Sequence, residues 1–313
     1  MESKKKNKNK AYDVITNKIV ELLEHGTVPW KRPWANGPAA KSYRGYEYRG
    51  INRMLLSTIA SLDGLKGCWI TYRQAKKLGG SVKKGAKGVP VVFWKWVSKP
   101  AGMTDDGQGT TNDQTNDQKA KVFPICRYYT VFSICQTEGV EEPSWLSKLE
   151  APRDYFESIQ AAEDIWNGYQ DAPELSHGGD QAAYLPLKDM IMMPCREQFS
   201  SPENYFSTLF HEATHSTGAE SRLDRFNSCS HVPFGSDSYS REELIAEMGA
   251  AFLAGEAGIN NDVILENSAA YLQSWIKVLK GEPRMAVVAA AQAQKSTDFI
   301  LGRKFEETEG DGA

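Results

Sequence analysis

Residues 207–220 read STLFHEATHSTGAE. His211 and His215 are four apart, so on a helix they sit one turn apart on one face and can offer two imidazole nitrogens to a single cation. Glu212 falls about 100° further round such a helix, beside the cation rather than on it, where a carboxylate can take a proton from metal-activated water. The chain has only five histidines in 313 residues, which makes this spacing hard to obtain by accident. The plain alternative is a solvated polar stripe. Leu209 and Phe210 argue against it, because they bury the helix, and unpaired His and Glu on a buried helix are costly.

A catalytic site of this kind needs a third protein ligand and an open position. His231, in a Ser/Pro/Gly-rich stretch, is one candidate. Glu243, in EELIAEMGAAF, is the other and the preferred one, because a helix fixes a ligand better than a loop and His₂Glu is a known catalytic zinc set. Glu242 and Glu247 stay open as alternatives, since a shift of register cannot be read from sequence. If Glu243 is the ligand, Glu247 one turn on is placed to accept a hydrogen bond from a ligating histidine. His231 and Tyr239 could instead stabilise an oxyanion. The expected ion is Zn2+, with another divalent ion such as Mn2+ as the alternative.

The elements that must position these groups are legible around them. Ser201 followed by Pro202 starts the histidine helix with an N-cap and a first-turn proline, and Gly218 ends it. Ser240 with Glu243 three residues later reads as a capping box opening the next helix. Upstream, DYFESIQAAEDIWNGY reads as a helix and AAYLPLKDMIMMP as a strand. Two alanine-rich helices follow, and EETEGDGA reads as a frayed tail.

The first hundred residues carry different chemistry. They hold 21 Lys or Arg against 6 Asp or Glu, a balance of +15, while the remainder stands at −18 and the whole chain at −3. Such a split points to two domains, one facing a polyanion. Five of the eight tryptophans fall here, Trp30, Trp34, Trp69, Trp94 and Trp96, and KSYRGYEYRGINR adds three tyrosines among arginines. Rings that stack on bases, beside cations that hold phosphates, suit single-stranded nucleic acid. The candidate DNA-binding residues are Trp30, Lys31, Arg32, Trp34, Tyr43, Arg44, Tyr46, Tyr48, Arg49, Arg53, Lys83, Lys84 and Lys87. Some of the tryptophans are equally suited to a small core. GGSVKKGAKG lacks the P-loop order, so nucleotide binding is unsupported. No helix-turn-helix or zinc-finger spacing argues for groove reading.

Here the elements read as a basic arm over residues 4–10, a helix in AYDVITNKIVELLEHG, helices in GINRMLLSTIASL and TYRQAKKLGG, and paired strands in VPVVFWKWV and ICRYYTVFSI. The polar tract at 101–120, with its TNDQ near-repeat, reads as a mobile loop insertion between those strands. The boundary falls in 136–153, acidic and carrying Pro143 and Pro152, giving residues 1–145 and 146–313. The five scattered cysteines lack any CxxC pair and fit reduced, buried thiols. With no membrane-length apolar run and no signal-peptide core, a cytoplasmic protein without membrane contact is expected.

Two groups of residues together resemble one family. YDVITNKIVELLEHGTVPWKRPW, YRGINRMLL and GGSVKKGAKGVPVVFWK resemble the N-terminal domain of ArdC-type antirestriction proteins, shared with TraC-type primases. YLPLKDMIMMP, ENYFSTLFHEATHSTG and EELIAEMGAAFL resemble the metallopeptidase-like domain of that family. Two departures stand out: the TNDQ tract, and Ser133 where the family pattern has asparagine. The resemblance implies an α+β chain of two domains, a small single-stranded-DNA-binding unit and a zincin-like, gluzincin-type unit. It also implies a role on mobile elements in protecting incoming DNA from host restriction. Its third ligand is a glutamate on a following helix, which supports Glu243. A host protein would be the substrate of an active site. The alternative is a non-catalytic DNA-binding protein with a structural metal. A nuclease is disfavoured, because such sites cluster several carboxylates round their ions.

Overall fold

The computed structural model describes residues 10–30, 40–99, 121–148, 154–226, 237–259 and 269–304. The basic arm, Lys31, Arg32, Trp34, the insertion at 101–120, Cys229, His231 and the C-terminal tail lie outside the described residues.

The first half follows its apolar spacing. Helix α1 (Lys10–Glu24) buries Ile15, Ile19 and Leu23 on one side. Helix α2 (Gly50–Asp63) ends at Gly64, whose left-handed backbone suits a residue without Cβ. Strands β1 (Lys41–Ser42) and β2 (Cys68–Thr71) precede helix α3 (Tyr72–Lys77), which Thr71 and Gln74 start with a reciprocal capping box. Strands β3 (Ser81–Val82), β4 (Val89–Lys99), β5 (Lys121–Ser133) and β6 (Thr137–Glu138) follow. The main sheet has the order β1-β2-β5-β4, and β3 pairs with β6. As expected, β4 and β5 form one long antiparallel ribbon, from Val89 opposite Val131 to Lys99 opposite Lys121. β4 is an edge strand, and an unpaired edge invites foreign pairing. Asn52 of α2 blocks it at Val92, donating to the carbonyl at 2.7 Å and accepting from the N–H at 2.8 Å.

The second half contains α4 (Tyr155–Asn167), β7 (Glu174–His177), β8 (Ala183–Leu185), β9 (Met190–Met193), α5 (Pro202–Ser216), α6 (Asp237–Ala257), α7 (Ala269–Gly281) and α8 (Met285–Ile300). The strands form a sheet of order β7-β9-β8. The single strand expected in AAYLPLKDMIMMP is a hairpin, β8 turning back on β9. Pro186 cannot donate to a ladder, and Asp189 takes a positive φ of 46° in the turn. Helix α6 begins at Asp237, so Ser240 is not its N-cap. Glu243 faces His211 and His215 instead of closing a capping box.

One apolar cluster joins the halves. Tyr12, Ile15, Ile19, Leu23, Val28 and Trp30 of the first half pack with Leu244, Met248 and Phe252 of α6. Trp275 of α7 and Met285 and Ala289 of α8 complete it. Separate clusters lie under the β7–β9 sheet with α5, and between α2 and the main sheet. Among the described residues no helix is long and apolar enough to cross a membrane.

Candidate metal centre

Ser201 caps α5 by accepting from the Asn204 N–H, and Pro202 occupies the first turn, as expected. The helix buries Tyr205, Phe206, Leu209, Phe210 and Ala213 on one flank and turns His211 and His215 towards α6. α5 and α6 cross closely where Gly249 meets Thr214: a Cβ at 249 would stand 2.5 Å from the Thr214 methyl. That closeness is what brings the second helix within ligand range of the first.

The nitrogens His211 Nε2 and His215 Nε2 are 3.1 Å apart. Glu243 places Oε2 3.6 Å from His211 Nε2 and Oε1 3.6 Å from His215 Nε2. Donor atoms held about 2.0–2.2 Å from one tetrahedral ion lie about 3.3–3.6 Å from each other, so this set fits a single small cation. It is the group of three donors that could hold a metal among the described residues. Two imidazole lone pairs that face each other this closely repel unless a cation or proton lies between them. Glu212, Glu242 and Glu243 make the local field negative, which favours a cation. At His215 burial disfavours the charged ring, but the carboxylates of Glu242, Glu212 and Glu243 outweigh it and raise its pKa.

Glu212 is 8% exposed and accepts a hydrogen bond at Oε2 from the Tyr184 N–H of β8, at 2.8 Å. The edge strand thus fixes the carboxylate beside the donors. The Tyr184 ring is held in turn, its hydroxyl donating to Asp189, which Arg222 clasps with two bonds of 2.8 and 2.9 Å.

The carboxylate that stands beside a ring nitrogen of His215 is that of Glu242, whereas the sequence points to Glu247 for this place. His215 Nδ1 stands 3.4 Å from Glu242 Oε1, and a carboxylate partner requires the proton on Nδ1, which leaves Nε2 as the ligand atom. Burial raises the Glu242 pKa, but hydrogen bonds from His215 and Arg225 prevail and hold it below the ordinary glutamate range. Arg225 donates to both Glu242 oxygens, to the Thr214 carbonyl, and to the hydroxyls of Thr217 and Ser296, tying α5, α6 and α8 together. Glu247 points the other way: it accepts from Trp30 Nε1 at 2.6 Å and from the Tyr271 hydroxyl. Four residues bring Glu247 within about 40° of the Glu243 direction, so the helix alone does not separate them; one turn further along α6, Trp30 and the α7 residue Tyr271 engage the Glu247 carboxylate. Sequence reasoning missed Arg225 altogether, since a lone arginine in a loop carries no local signal. Tyr239 lies in the first turn of α6.

The nucleic-acid candidates divide. Arg44, Tyr46, Lys83, Lys84 and Lys87 are exposed and Tyr43 is half-buried. Trp30 is not a surface ring; it is 1% exposed and packs edge-on against Trp275 at 5.9 Å. Arg49 and Arg53 are engaged across the halves, with Asp298 and with Glu256 at 2.6 Å respectively. Tyr48 is half-buried against the α2–sheet cluster. Large rings so placed serve packing, and paired guanidiniums bind carboxylate before phosphate.

Two family models match the chain. Residues 9–132 match the N-terminal domain of the anti-restriction factor ArdC, and residues 161–292 match a zincin-like metallopeptidase domain. Two DNA primases named TraC, from Escherichia coli, are 36% and 35% identical over 93% of this chain, which spans 20% and 27% of their lengths. An uncharacterized protein, y4eC of Sinorhizobium fredii, is 30% identical over 94% of this chain and 92% of its own. The crystal structure of metal-free antirestriction protein ArdC from plasmid R388 superposes with a TM-score of 0.68 at 35% identity, covering 92% of this chain and 96% of that one. An Mn(II)-bound structure of the same ArdC superposes with a TM-score of 0.67 at 34% identity, covering 93% and 97%. With the ArdC N-terminal domain joined to a zincin-like domain along nearly its whole length, this chain belongs to the ArdC family of antirestriction proteins.

Proposed function

We propose that this chain is an antirestriction protein of a mobile element. In this reading it binds single-stranded DNA through its basic first half and carries a metal-dependent peptidase site in its second half. It acts in the cytoplasm, on a host protein met at the incoming DNA. The functional division is placed near residue 145. The observation that carries the peptidase part is the donor triangle of His211, His215 and Glu243, with Glu212 held beside it.

His211, His215 and Glu243 would hold the ion, and the His₂Glu set suits Zn2+, with Mn2+ the alternative that the R388 relative supports. When bound, the ion supplies Lewis acidity, polarising a substrate carbonyl and acidifying water. Glu212 receives the proton that the attacking water loses, at the carboxylate the Tyr184 N–H orients, and passes it to the departing amine nitrogen. Glu242 and Arg225 hold the His215 ring so that Nε2 faces the site.

Among the described residues the site offers three donors, the number that leaves a catalytic zinc an open position, whereas structural zinc sites are closed by four protein ligands. The test is Glu212→Gln in a restriction-protection assay in cells, with metal content measured on the same protein. Lost protection with metal retained is the expected result. Full protection by the variant would leave the metal a structural role and the chain a DNA-binding protein.

A further inference from the structure

The β4–β5 ribbon carries more than its place in the fold requires. Its two strands, VPVVFWKWVSK and KVFPICRYYTVFS, contain Lys95, Lys99, Lys121 and Arg127 and no acidic residue. Residues directly opposite on an antiparallel pair share a face. One face therefore presents the rungs Val89 with Val131, Val91 with Tyr129, Phe93 with Arg127, and Lys95 with Ile125.

Along this face burial ends abruptly. The first rung and Val91 are sealed under Leu56, Ile59 and Ala60 of α2 and under Trp69. Beyond them Phe93 and Tyr129 are half-buried, and Lys95 and Arg127 are exposed. The two rings lie 5.5 Å apart and tilted by 56°, so they present a stepped aromatic surface rather than a closed pair. The alternate rungs, on the opposite face, are anchored: Val92, Cys126 and Tyr128 pack in the shared core, and Trp94, 43% exposed, meets Tyr12 edge-on at 6.4 Å. The ribbon is thus rigid on one side and open on the other.

We propose that this open face is the platform on which unpaired bases stack, with Phe93 and Tyr129 supplying rings and Lys95 and Arg127 holding the flanking phosphates. The proposal rests on the single-stranded-DNA reading above and moves its centre. Trp30, Arg49 and Arg53, which the sequence suggests, are buried or paired, whereas the ribbon offers rings and cations together on a surface. Among the described residues, an aromatic face flanked by the exposed cations Lys95 and Arg127 is complementary to a polyanion whose bases are free, and offers nothing to a closed duplex beyond charge.

Fluorescence anisotropy with a labelled oligothymidylate and the full chain tests it. Phe93→Ala should weaken binding about 5- to 150-fold without changing the salt dependence, the loss of one stacking ring. Phe93→Trp should restore it. Arg127→Ala should reduce the slope of log K against log salt by about 0.7, one phosphate contact on a single strand. If Phe93→Ala melts early, Phe93→Leu, which keeps bulk and loses the ring, is read in its place with the same expectation. Binding within twofold of the unaltered chain in both the Phe93 and Arg127 variants would overturn the platform while leaving DNA binding standing. An unaltered chain that binds no oligothymidylate would overturn both. Equal affinity for duplex, with equal losses in the variants, would remove stacking as the mechanism.

Discussion

In the proposed site Glu242 would act through His215, whose Nδ1 stands 3.4 Å from its carboxylate, rather than as a donor to the ion. Removing an acceptor that orients a ligating histidine typically lowers metal affinity about 10- to 100-fold. Glu242→Gln should do so here, read by competition with a chromogenic chelator for zinc. It should also remove the negative charge opposite Arg225, 8% exposed at its side chain, and lower the melting temperature. Unchanged zinc affinity would show that the His215 ring is held by packing alone. The same scale separates Glu242 from its neighbour Glu243: alanine at 243 removes a donor, so metal analysis after dialysis should find the ion lost rather than weakened.

At the scale of elements, the site depends on how closely α5 and α6 cross. Alanine is ordinarily better than glycine inside a helix by about 1 kcal/mol. At Gly249 the sign should reverse. The added Cβ would meet the Thr214 Cγ2 at 2.5 Å and Oγ1 at 2.6 Å, and Thr214 is fully buried and hydrogen-bonded to the Phe210 carbonyl at 2.7 Å. Gly249→Ala should therefore destabilise the protein by about 1–3 kcal/mol, the usual cost of overpacking, in denaturant titration. Because Thr214 immediately precedes His215, metal affinity should fall with it. A more stable variant would mean the helices part without cost.

Across the whole molecule, the halves are bound by a common core and by buried polar contacts. Glu256 of α6 pairs with Arg53 and Arg303; burial raises its pKa, but the two guanidiniums prevail and hold it below the ordinary glutamate range. A folded-state pKa below the unfolded one means the unfolded chain takes up the proton first as pH falls. The stabilisation is thus present above the ordinary glutamate range and lost as pH falls through the folded-state value. Glu256→Gln should melt earlier at neutral pH, and the gap from the unaltered chain should close below about pH 4. A gap independent of pH would show that packing, not charge, is lost. Truncation tests the shared core. A chain ending at residue 145 would expose Ile15, Ile19, Leu23 and Trp30, which are buried against α6, α7 and α8. It should aggregate or show no cooperative melting by circular dichroism, and a well-folded fragment would show that the first half closes its own core.

What the sequence determined by itself was local chemistry and periodicity. A four-residue spacing fixes His211 and His215 on one helix face whatever surrounds them, Ser201 and Pro202 start that helix, and alternation with aromatic content makes β4 and β5 strands. The α+β class and the family resemblance were legible for the same reason, since they are carried by short contiguous patterns. What only the tertiary structure decided was which partner each long-range group takes. Glu242, Glu243 and Glu247 look alike in the chain, yet one stands against the His215 ring, one completes the donor triangle and one accepts from Trp30. Trp30, Arg49 and Arg53 read as nucleic-acid contacts because their ring and charge are visible in sequence while their burial against residues some two hundred positions away is not. A side chain's type is local, but its desolvation and its hydrogen-bond partner are set by elements that only folding brings beside it.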